Sequence, residues 1–144
     1  MNKLFSIPLL IMGVSMILLG ARWMIVDEPW MLDKIANEER LEMTFDKLFE
    51  GDINKTLPGY LKQIYRFFGL WVIVIGLFII GFSRPIIIDN GKIREVILFC
   101  TGIMSYSALL LAYKLIPSSP FIYLGWAMIA LHFISIYANK YLKR

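Results

Sequence analysis

The sequence predicts an all-α fold, a bundle of four transmembrane helices with short amphipathic helical segments in the first extracytoplasmic loop. Four long apolar runs carry almost no charge, and they cover residues 4–26, 67–82, 96–113 and 121–137. Runs of this length are typical of helices that cross a bilayer, where the backbone must satisfy its own hydrogen-bonding groups. The chain is also 58% hydrophobic and only 18% charged, which is less charge than soluble domains carry.

We therefore expect one integral membrane domain over residues 1–144. Its spans are predicted at about 4–26, 61–82, 94–113 and 120–139, and a polar loop fills residues 27–60. The first span also resembles a signal peptide, but Leu19-Gly20-Ala21 fits a cleavage site poorly and apolar residues continue past Arg22. A first helix that is retained in the protein is the favoured interpretation.

The first loop holds nine of the 11 acidic residues in the chain. Pro29 is suited to the first position of a helix. Further along, an apolar stripe at helical spacing is formed by Leu41, Phe45, Leu48 and Phe49. Two interpretations stay open: an interfacial helix that contacts lipid or a partner through Phe45, Leu48 and Phe49, or a cap on the bundle. The cap is favoured because the polar face is acidic rather than basic.

Basic residues predict that both termini lie in the cytoplasm and that the chain is a multi-pass protein of the cell's inner (plasma) membrane. Lys and Arg near span ends decide topology, whereas acidic residues contribute little. The basic residues assigned to the cytoplasmic side are Lys3, Arg84, Lys92, Arg94, Lys140, Lys143 and Arg144. An even number of spans agrees with two termini on one side.

Glycine spacing predicts where helices approach each other closely. Gly13 and Gly20 are seven residues apart in the first span, and so are Gly69 and Gly76 in the second. This spacing keeps both glycines on one helix face, so we expect these four residues to contribute to helix packing. The short segment 116–120 makes the third and fourth spans an antiparallel hairpin.

His132 is the only histidine, and it lies within the fourth span. The hairpin should bring it to the depth of Thr101, Ser105 and Tyr106. One hypothesis makes His132 a polar anchor for a ligand, together with Tyr106 and Ser105. The favoured alternative is a neutral imidazole that bonds to one of those hydroxyls and adds no more than about 1–2 kcal/mol to helix association. Arg66, at the start of the second apolar run, is a candidate for binding an anionic lipid.

Several chemistries are disfavoured by what the spans lack. No acidic or basic residue lies in the middle of a span, and proton-coupled carriers need one. A single histidine without a second ligand does not make a usual metal site, so neither a metal nor another cofactor is expected. Ser105 and His132 lack a nucleophile-elbow pattern, so no catalytic residue is predicted. No basic stripe with interleaved aromatic residues indicates nucleic-acid binding.

The second half of the chain, residues 66–137, resembles small bacterial four-helix membrane proteins of the DoxX-like and related uncharacterised domain families. The resemblance rests on Arg66-Phe67-Phe68-Gly69 at the start of a span, on Gly76 within it, and on a short basic loop followed by a tight hairpin. It implies an integral membrane protein without established chemistry. No functional residue is implied by it.

Two functional hypotheses follow from the sequence. The first is a non-enzymatic membrane module, an accessory protein that binds another membrane protein or a second copy of itself within the lipid bilayer. The second is a protein or membrane enzyme that binds a lipid or another hydrophobic small molecule in a cavity near His132. A histidine that lines a cavity would favour the second hypothesis. A buried histidine together with an exposed apolar surface at Phe45 and Phe49 would favour the first.

Overall fold

The computed structural model describes residues 1–142, and all regular secondary structure in that range is helical. The α-helices are α1 (Asn2–Ile25), α2 (Lys34–Leu41), α3 (Phe45–Phe49), α4 (Leu57–Phe82), α5 (Pro85–Ile88), α6 (Gly91–Leu115) and α7 (Phe121–Leu142). Two 3-10 helices, Pro29–Asp33 and Asp52–Asn54, lie in the first loop. Because α1, α4, α6 and α7 are long and apolar enough to cross a membrane, the predicted all-α bundle is confirmed and the chain is a multi-pass membrane protein.

Two of the long helices, α4 and α6, begin before their predicted spans, and residues at their first turns explain why. The Asn90 side chain accepts a hydrogen bond of 3.0 Å from the backbone N–H of Lys92 and so caps the first turn of α6. Pro58 lies in the first turn of α4. Backbone N–H groups in the first turn of a helix have no partner within the helix, so a proline there costs no helical hydrogen bond. Both helices thus extend beyond their apolar runs. Lys143 and Arg144, two of the basic residues that predict the orientation, lie outside the described residues.

The four long helices follow the order α4, α1, α7, α6 around the bundle. The most extensive packing is between α1 and α4, followed by the α1–α7 and α6–α7 pairs, whereas α4 and α6 contact each other only slightly. The largest buried cluster is built around Phe5, Leu9 and Met12 of α1. The bundle therefore closes around α1 and α7 and stays open on the side between α4 and α6.

Glycine faces bring α1 and α4 into direct backbone contact. A Cβ added at Gly13 would lie 2.8 Å from the Gly76 carbonyl oxygen, and one added at Gly76 would lie 2.6 Å from the Gly13 carbonyl oxygen. Gly20 and Gly69 oppose each other in the same way, seven residues away from Gly13 and Gly76 on their respective helices. The four glycines singled out by their spacing thus occupy one interface, and side chains there would force the two helices apart.

Glycine also shapes the α6–α7 interface, which the sequence did not indicate. A Cβ at Gly102 would lie 2.9 Å from Cε1 of His132, and one at Gly125 would lie 2.8 Å from Cδ1 of Leu109. Each of these glycines faces a large side chain of the opposite helix. The two glycines lie on different helices, so neither helix shows the seven-residue glycine spacing that predicted the α1–α4 interface.

The first loop forms a cap over one end of the bundle, and its helical structure differs from the prediction. The expected continuous stripe from Leu41 to Phe49 is interrupted, because α2 ends at Leu41 and Glu42 adopts a left-handed conformation with φ of 56°. Thr44 then caps α3 by accepting a hydrogen bond of 3.3 Å from the N–H of Lys47. The short segments wrap around Phe45, which is almost fully buried.

Candidate ligand-binding cleft

An apolar cleft runs along the open side of the bundle between α4 and α6. It contains two cavities of about 480 and 450 Å³, each within the size range of small-molecule sites. Met104 of α6 lines both cavities, so they are adjacent parts of one cleft. The cleft exists because these two helices barely contact each other, and residues of α1 and α7 contribute to the lining of the cavity at the first-loop end.

The cavity at the termini end of the cleft is almost entirely apolar. Its lining consists of Ile75, Phe78, Ile79, Phe82, Lys92, Ile93, Val96, Ile97, Cys100, Thr101 and Met104. The Thr101 hydroxyl donates a hydrogen bond of 2.7 Å to the Ile97 carbonyl oxygen, so it is satisfied within α6. Lys92 is exposed at the mouth. This cavity therefore suits a hydrocarbon group.

The cavity at the first-loop end combines apolar walls with four polar side chains. Met16, Leu19, Leu124 and Met128 contribute to its floor. The polar members of its lining are Asp33, Asn37, Tyr65 and Ser105. An apolar cavity with a few polar groups is the usual composition of a small-molecule site, because the polar groups fix the orientation of the ligand.

Ser105 lines this cavity and carries an unsatisfied, buried hydroxyl. Its side chain is only 3% exposed, and its Oγ atom makes no hydrogen bond within residues 1–142. A buried hydroxyl without a partner is unfavourable, because it loses its hydrogen bonds to water without replacing them. Ser105 is therefore a hydrogen-bonding group that a bound molecule could satisfy.

Asp33 provides a second unsatisfied atom at the capped end of the same cavity. Its Oδ2 accepts a hydrogen bond of 2.7 Å from Ser119 Oγ, but its buried Oδ1 has no partner among the described residues. Nearby, Nδ2 of Asn37 donates to the Trp30 carbonyl oxygen at 2.9 Å and to the Tyr65 hydroxyl at 3.3 Å. The capped end thus contains a buried carboxylate oxygen that lacks a hydrogen-bond donor.

His132 is held by two hydrogen bonds across the α6–α7 interface. Its Nε2 lies 2.8 Å from the Leu98 carbonyl oxygen, and its Nδ1 lies 3.1 Å from the Tyr106 hydroxyl. A carbonyl oxygen can only accept, so Nε2 carries the proton and Nδ1 accepts from Tyr106. The ring is 3% exposed and rests against Gly102. Because Gly102 has no side chain, it leaves space for the imidazole.

The structure separates the residues that the sequence grouped as ligand-binding candidates. His132 and Tyr106 form a pair, yet neither of them lines the two cavities of the cleft. Ser105 does line the cavity at the first-loop end. Arg66 is exposed on α4 and lies close enough to Asp27 to influence its ionisation. Only one of the four candidates therefore belongs to the cleft.

The apolar loop residues considered for partner binding pack mainly within the cap. Phe45 is 4% exposed and stacks on Phe49 with ring centroids 5.6 Å apart, and Trp30 lies against both rings. Leu48 is partly buried. The criterion for a ligand site near His132 is not met, because His132 does not line the cleft. The criterion for a partner-binding surface is met only in part, because His132 is buried but Phe45 is not exposed.

Arg94 is a buried residue whose role the sequence did not reveal. It is 7% exposed and donates hydrogen bonds to Asn139 Oδ1 at 2.8 Å and to the Ile88 carbonyl oxygen at 2.6 Å. Further bonds reach the carbonyl oxygens of Asp89 and Leu142. These carbonyls belong to the carboxyl ends of α5 and α7, where the helix dipole favours a cation. Arg94 therefore joins three helices at the termini end.

One ion pair attaches the start of the first loop to α4. Lys62 Nζ lies 2.7 Å from Asp27 Oδ1. This hydrogen bond, with the charge of Lys62 and a smaller contribution from Arg66, lowers the pKa of the Asp27 carboxyl below its ordinary value. Asp27 is fully exposed, so solvent screens the pair and it stabilises the loop only weakly.

No cluster of three metal-ligating side chains occurs within the described range 1–142. No protein-family model, curated protein or solved structure matches the chain. The resemblance to DoxX-like proteins therefore stays a prediction. What the geometry itself offers is a multi-pass helical bundle with an apolar cleft, one cavity of which is lined by two residues with unsatisfied polar atoms, Asp33 and Ser105.

Proposed function

We propose that this protein is a non-enzymatic accessory module of the membrane whose function is to bind an amphipathic, lipid-like molecule in the cleft between α4 and α6. The observation that carries the proposal is the cleft itself, two adjoining apolar cavities between helices that contact each other only slightly. The hydrocarbon part of the ligand would lie along the cleft past Met104, and its polar part would lie at the first-loop end.

Lipid chains fill any groove that faces the bilayer core, so a specific site needs more than apolar walls. The cavity at the first-loop end supplies that additional feature, because the polar side chains of Asp33, Asn37 and Tyr65 join its apolar walls and can fix the orientation of a polar group. Several lining residues, including Phe78, Phe82 and Val96, are exposed at the outer surface of the bundle. A ligand could therefore reach the cleft sideways from the bilayer.

The hydrogen bonds of the interior favour binding over catalysis. A hydrolytic Ser–His pair needs the imidazole to accept the proton of the serine hydroxyl. The imidazole of His132 instead bonds to Tyr106 and Leu98, and the Ser105 hydroxyl has no hydrogen-bond partner in the described part of the chain. The alternative of a membrane enzyme centred on His132 has less support, because His132 does not line the cleft.

Blocking the cleft tests the proposal. Ala108 lines the cavity but is not buried, so Ala108→Phe should fill the cleft without disturbing the core. Ala127 is exposed on α7 and lines neither cavity, so Ala127→Phe is the matched control. Gently solubilised protein is examined by native mass spectrometry, and we expect Ala108→Phe alone to lose a bound small molecule.

Two results would contradict binding of a small molecule in the cleft. One is that wild-type protein and both variants carry the same adducts. The other is that Ala108→Phe releases a second protein chain rather than a small molecule. That outcome would support the alternative function, in which the accessory module binds another membrane protein or a second copy of itself.

For orientation, we propose that both termini face the cytoplasm of the inner membrane. The described basic residues Arg84, Lys92 and Arg94 follow α4 at the end of the bundle that holds both the start of α1 and the end of α7, which supports this orientation. The test uses a Cys100→Ser background with a single cysteine at Ile53, which is 92% exposed. Labelling of intact cells by an impermeant maleimide is expected, and protection until lysis would contradict the proposed orientation.

A further inference from the structure

We infer that the capped end of the cleft selects a protonated amine, so that the ligand is a single-chain lipophilic amine. This inference rests on the proposed function and specifies its ligand class. It starts from Asp33, which lines the cavity and whose buried Oδ1 atom has no hydrogen-bond partner in residues 1–142. Asp33 is partly buried, and a carboxylate oxygen that has lost its contact with water is unfavourable unless a donor or a cation compensates it.

The protein does not supply that cation from its described residues. The two lysines of this region that form ion pairs are engaged elsewhere: Lys34 with Glu38 at 3.7 Å, and Lys62 with Asp27 at 2.7 Å. No Lys or Arg belongs to the lining of the Asp33 cavity. An ammonium group placed beside Oδ1 would donate hydrogen bonds and neutralise the charge together, which makes it the favoured complement.

The surroundings of Asp33 are unsuited to an anionic headgroup. Glu39 approaches the same α6–α7 connection and accepts a hydrogen bond from Ser118. The first loop as a whole contains more acidic than basic residues, so an anion entering at this end meets charges of its own sign. A phospholipid head would also bring a phosphate for which the cavity lining offers no cation.

The rest of the cavity fits one hydrocarbon chain behind the amine. The lining extends from Ile116, which directly follows α6 near the capped end, along α6 to Met104, a distance of roughly 18 Å at 1.5 Å per helical residue. Ser105 lies towards the far end of this stretch. Beyond Met104 the second apolar cavity continues the path, so a long chain has space along the cleft.

Three amphiphiles that differ only in the headgroup test the inference: hexadecylamine, hexadecanol and hexadecanoic acid. Each is titrated at neutral pH into the full-length protein in phosphatidylcholine nanodiscs, with empty nanodiscs as blanks. We expect the amine to bind at least about tenfold more tightly than the alcohol, which corresponds to about 1.4 kcal/mol. Asp33→Asn should abolish this difference between the amine and the alcohol.

The matched control is Asp46→Asn, which removes the same charge from an exposed position of the first loop. It should keep the preference for the amine. Equal binding of amine and alcohol by the wild-type protein, tighter binding of the acid, or an equal loss in both variants would overturn the inference.

The possible failures are distinguishable. If all three amphiphiles bind alike and Ala108→Phe blocks them, the cleft binds lipid-like molecules and only the choice of headgroup is wrong. If none of them binds above the blank, or Ala108→Phe changes nothing, the proposed function fails together with the inference.

Discussion

Gly13 of α1 and Gly76 of α4 are in backbone contact, because a Cβ at either residue would lie within 2.8 Å of the other residue's carbonyl oxygen. Neither carbonyl can move away without shifting its helix. The α1–α4 interface is also the most extensive helix contact in the bundle. The absence of side chains at these two positions is thus a condition for the fold, and for the position of α4 beside the cleft.

Alanine at Gly76 should therefore destabilise the protein. A Cβ at Gly76 meets the Gly13 carbonyl oxygen at 2.6 Å, and overpacking of this kind costs about 1–3 kcal/mol. Gly81 lies on the same helix with no atom within 4 Å of an added Cβ, so Gly81→Ala should instead gain up to about 1 kcal/mol of helix propensity. Unfolding in mixed micelles measures both changes, and equal effects of the two variants would contradict this account.

Removal of the Tyr106 hydroxyl tests the histidine pair. Tyr106→Phe leaves Nδ1 of His132 without its donor, and hydrogen bonds between membrane helices are worth about 0.6 kcal/mol on average. His132→Ala should cost more, because it also removes the bond to Leu98 and leaves a cavity. A double-mutant cycle of the two changes should give a favourable coupling energy. Tyr123→Phe, at a 79% exposed position, is the control and should be neutral.

Sequence patterns predicted those parts of the structure that depend on local spacing. The seven-residue spacing of Gly69 and Gly76 places them on one helix face, and this holds regardless of which other helix packs against that face. Likewise, the tight connection between α6 and α7 puts His132 at the depth of Tyr106. Both relationships follow from helix geometry, and the four apolar runs fixed the number of long helices in the same way.

Other parts depend on tertiary contacts that no local pattern encodes. Asp33 reaches Ser119 across 86 residues of sequence, so its position beside a cavity depends on how the cap folds back over the bundle. Arg94 looked like one of several loop cations, yet most of its acceptors are backbone carbonyls, which are the same in every sequence. The cleft arises from weak contact between α4 and α6, and hydropathy cannot reveal that.

Replacement of Arg94 should destabilise the termini end of the bundle. Arg94→Met retains much of the side-chain volume but leaves Asn139 Oδ1 and the Ile88 carbonyl oxygen without their donor, at a cost of about 1–3 kcal/mol. Arg94→Lys should restore only part of this loss, because an ammonium cannot reproduce the guanidinium fork. Arg84 is exposed, so Arg84→Met should leave the unfolding midpoint unchanged.

Acid should weaken the attachment of the first loop to α4. The folded-state pKa of Asp27 lies below its ordinary value of 3.8 because of Lys62. The pair therefore stabilises the fold above that value, and the contribution is lost as the pH falls through the lowered pKa. Hydrogen exchange in the loop should accelerate over this pH window in wild-type protein and less so in Asp27→Asn. An identical acceleration in Asp27→Asn would show that other groups are responsible.

The aromatic cluster of the cap should control loop order without controlling the bundle. Phe45 packs against Trp30 and Phe49, and no long helix supplies a ring to this cluster among the aromatic contacts of the described chain. Phe45→Ala should therefore speed hydrogen exchange in residues 29–54 while α6 and α7 keep their protection, because the cap opens as a local unit. Ile53→Ala, at a 92% exposed position of the same loop, is the control and should change neither region. Since Asp33 belongs to this cap, Phe45→Ala should also weaken amine binding at the cleft, and unchanged binding would mean that the cap does not position Asp33.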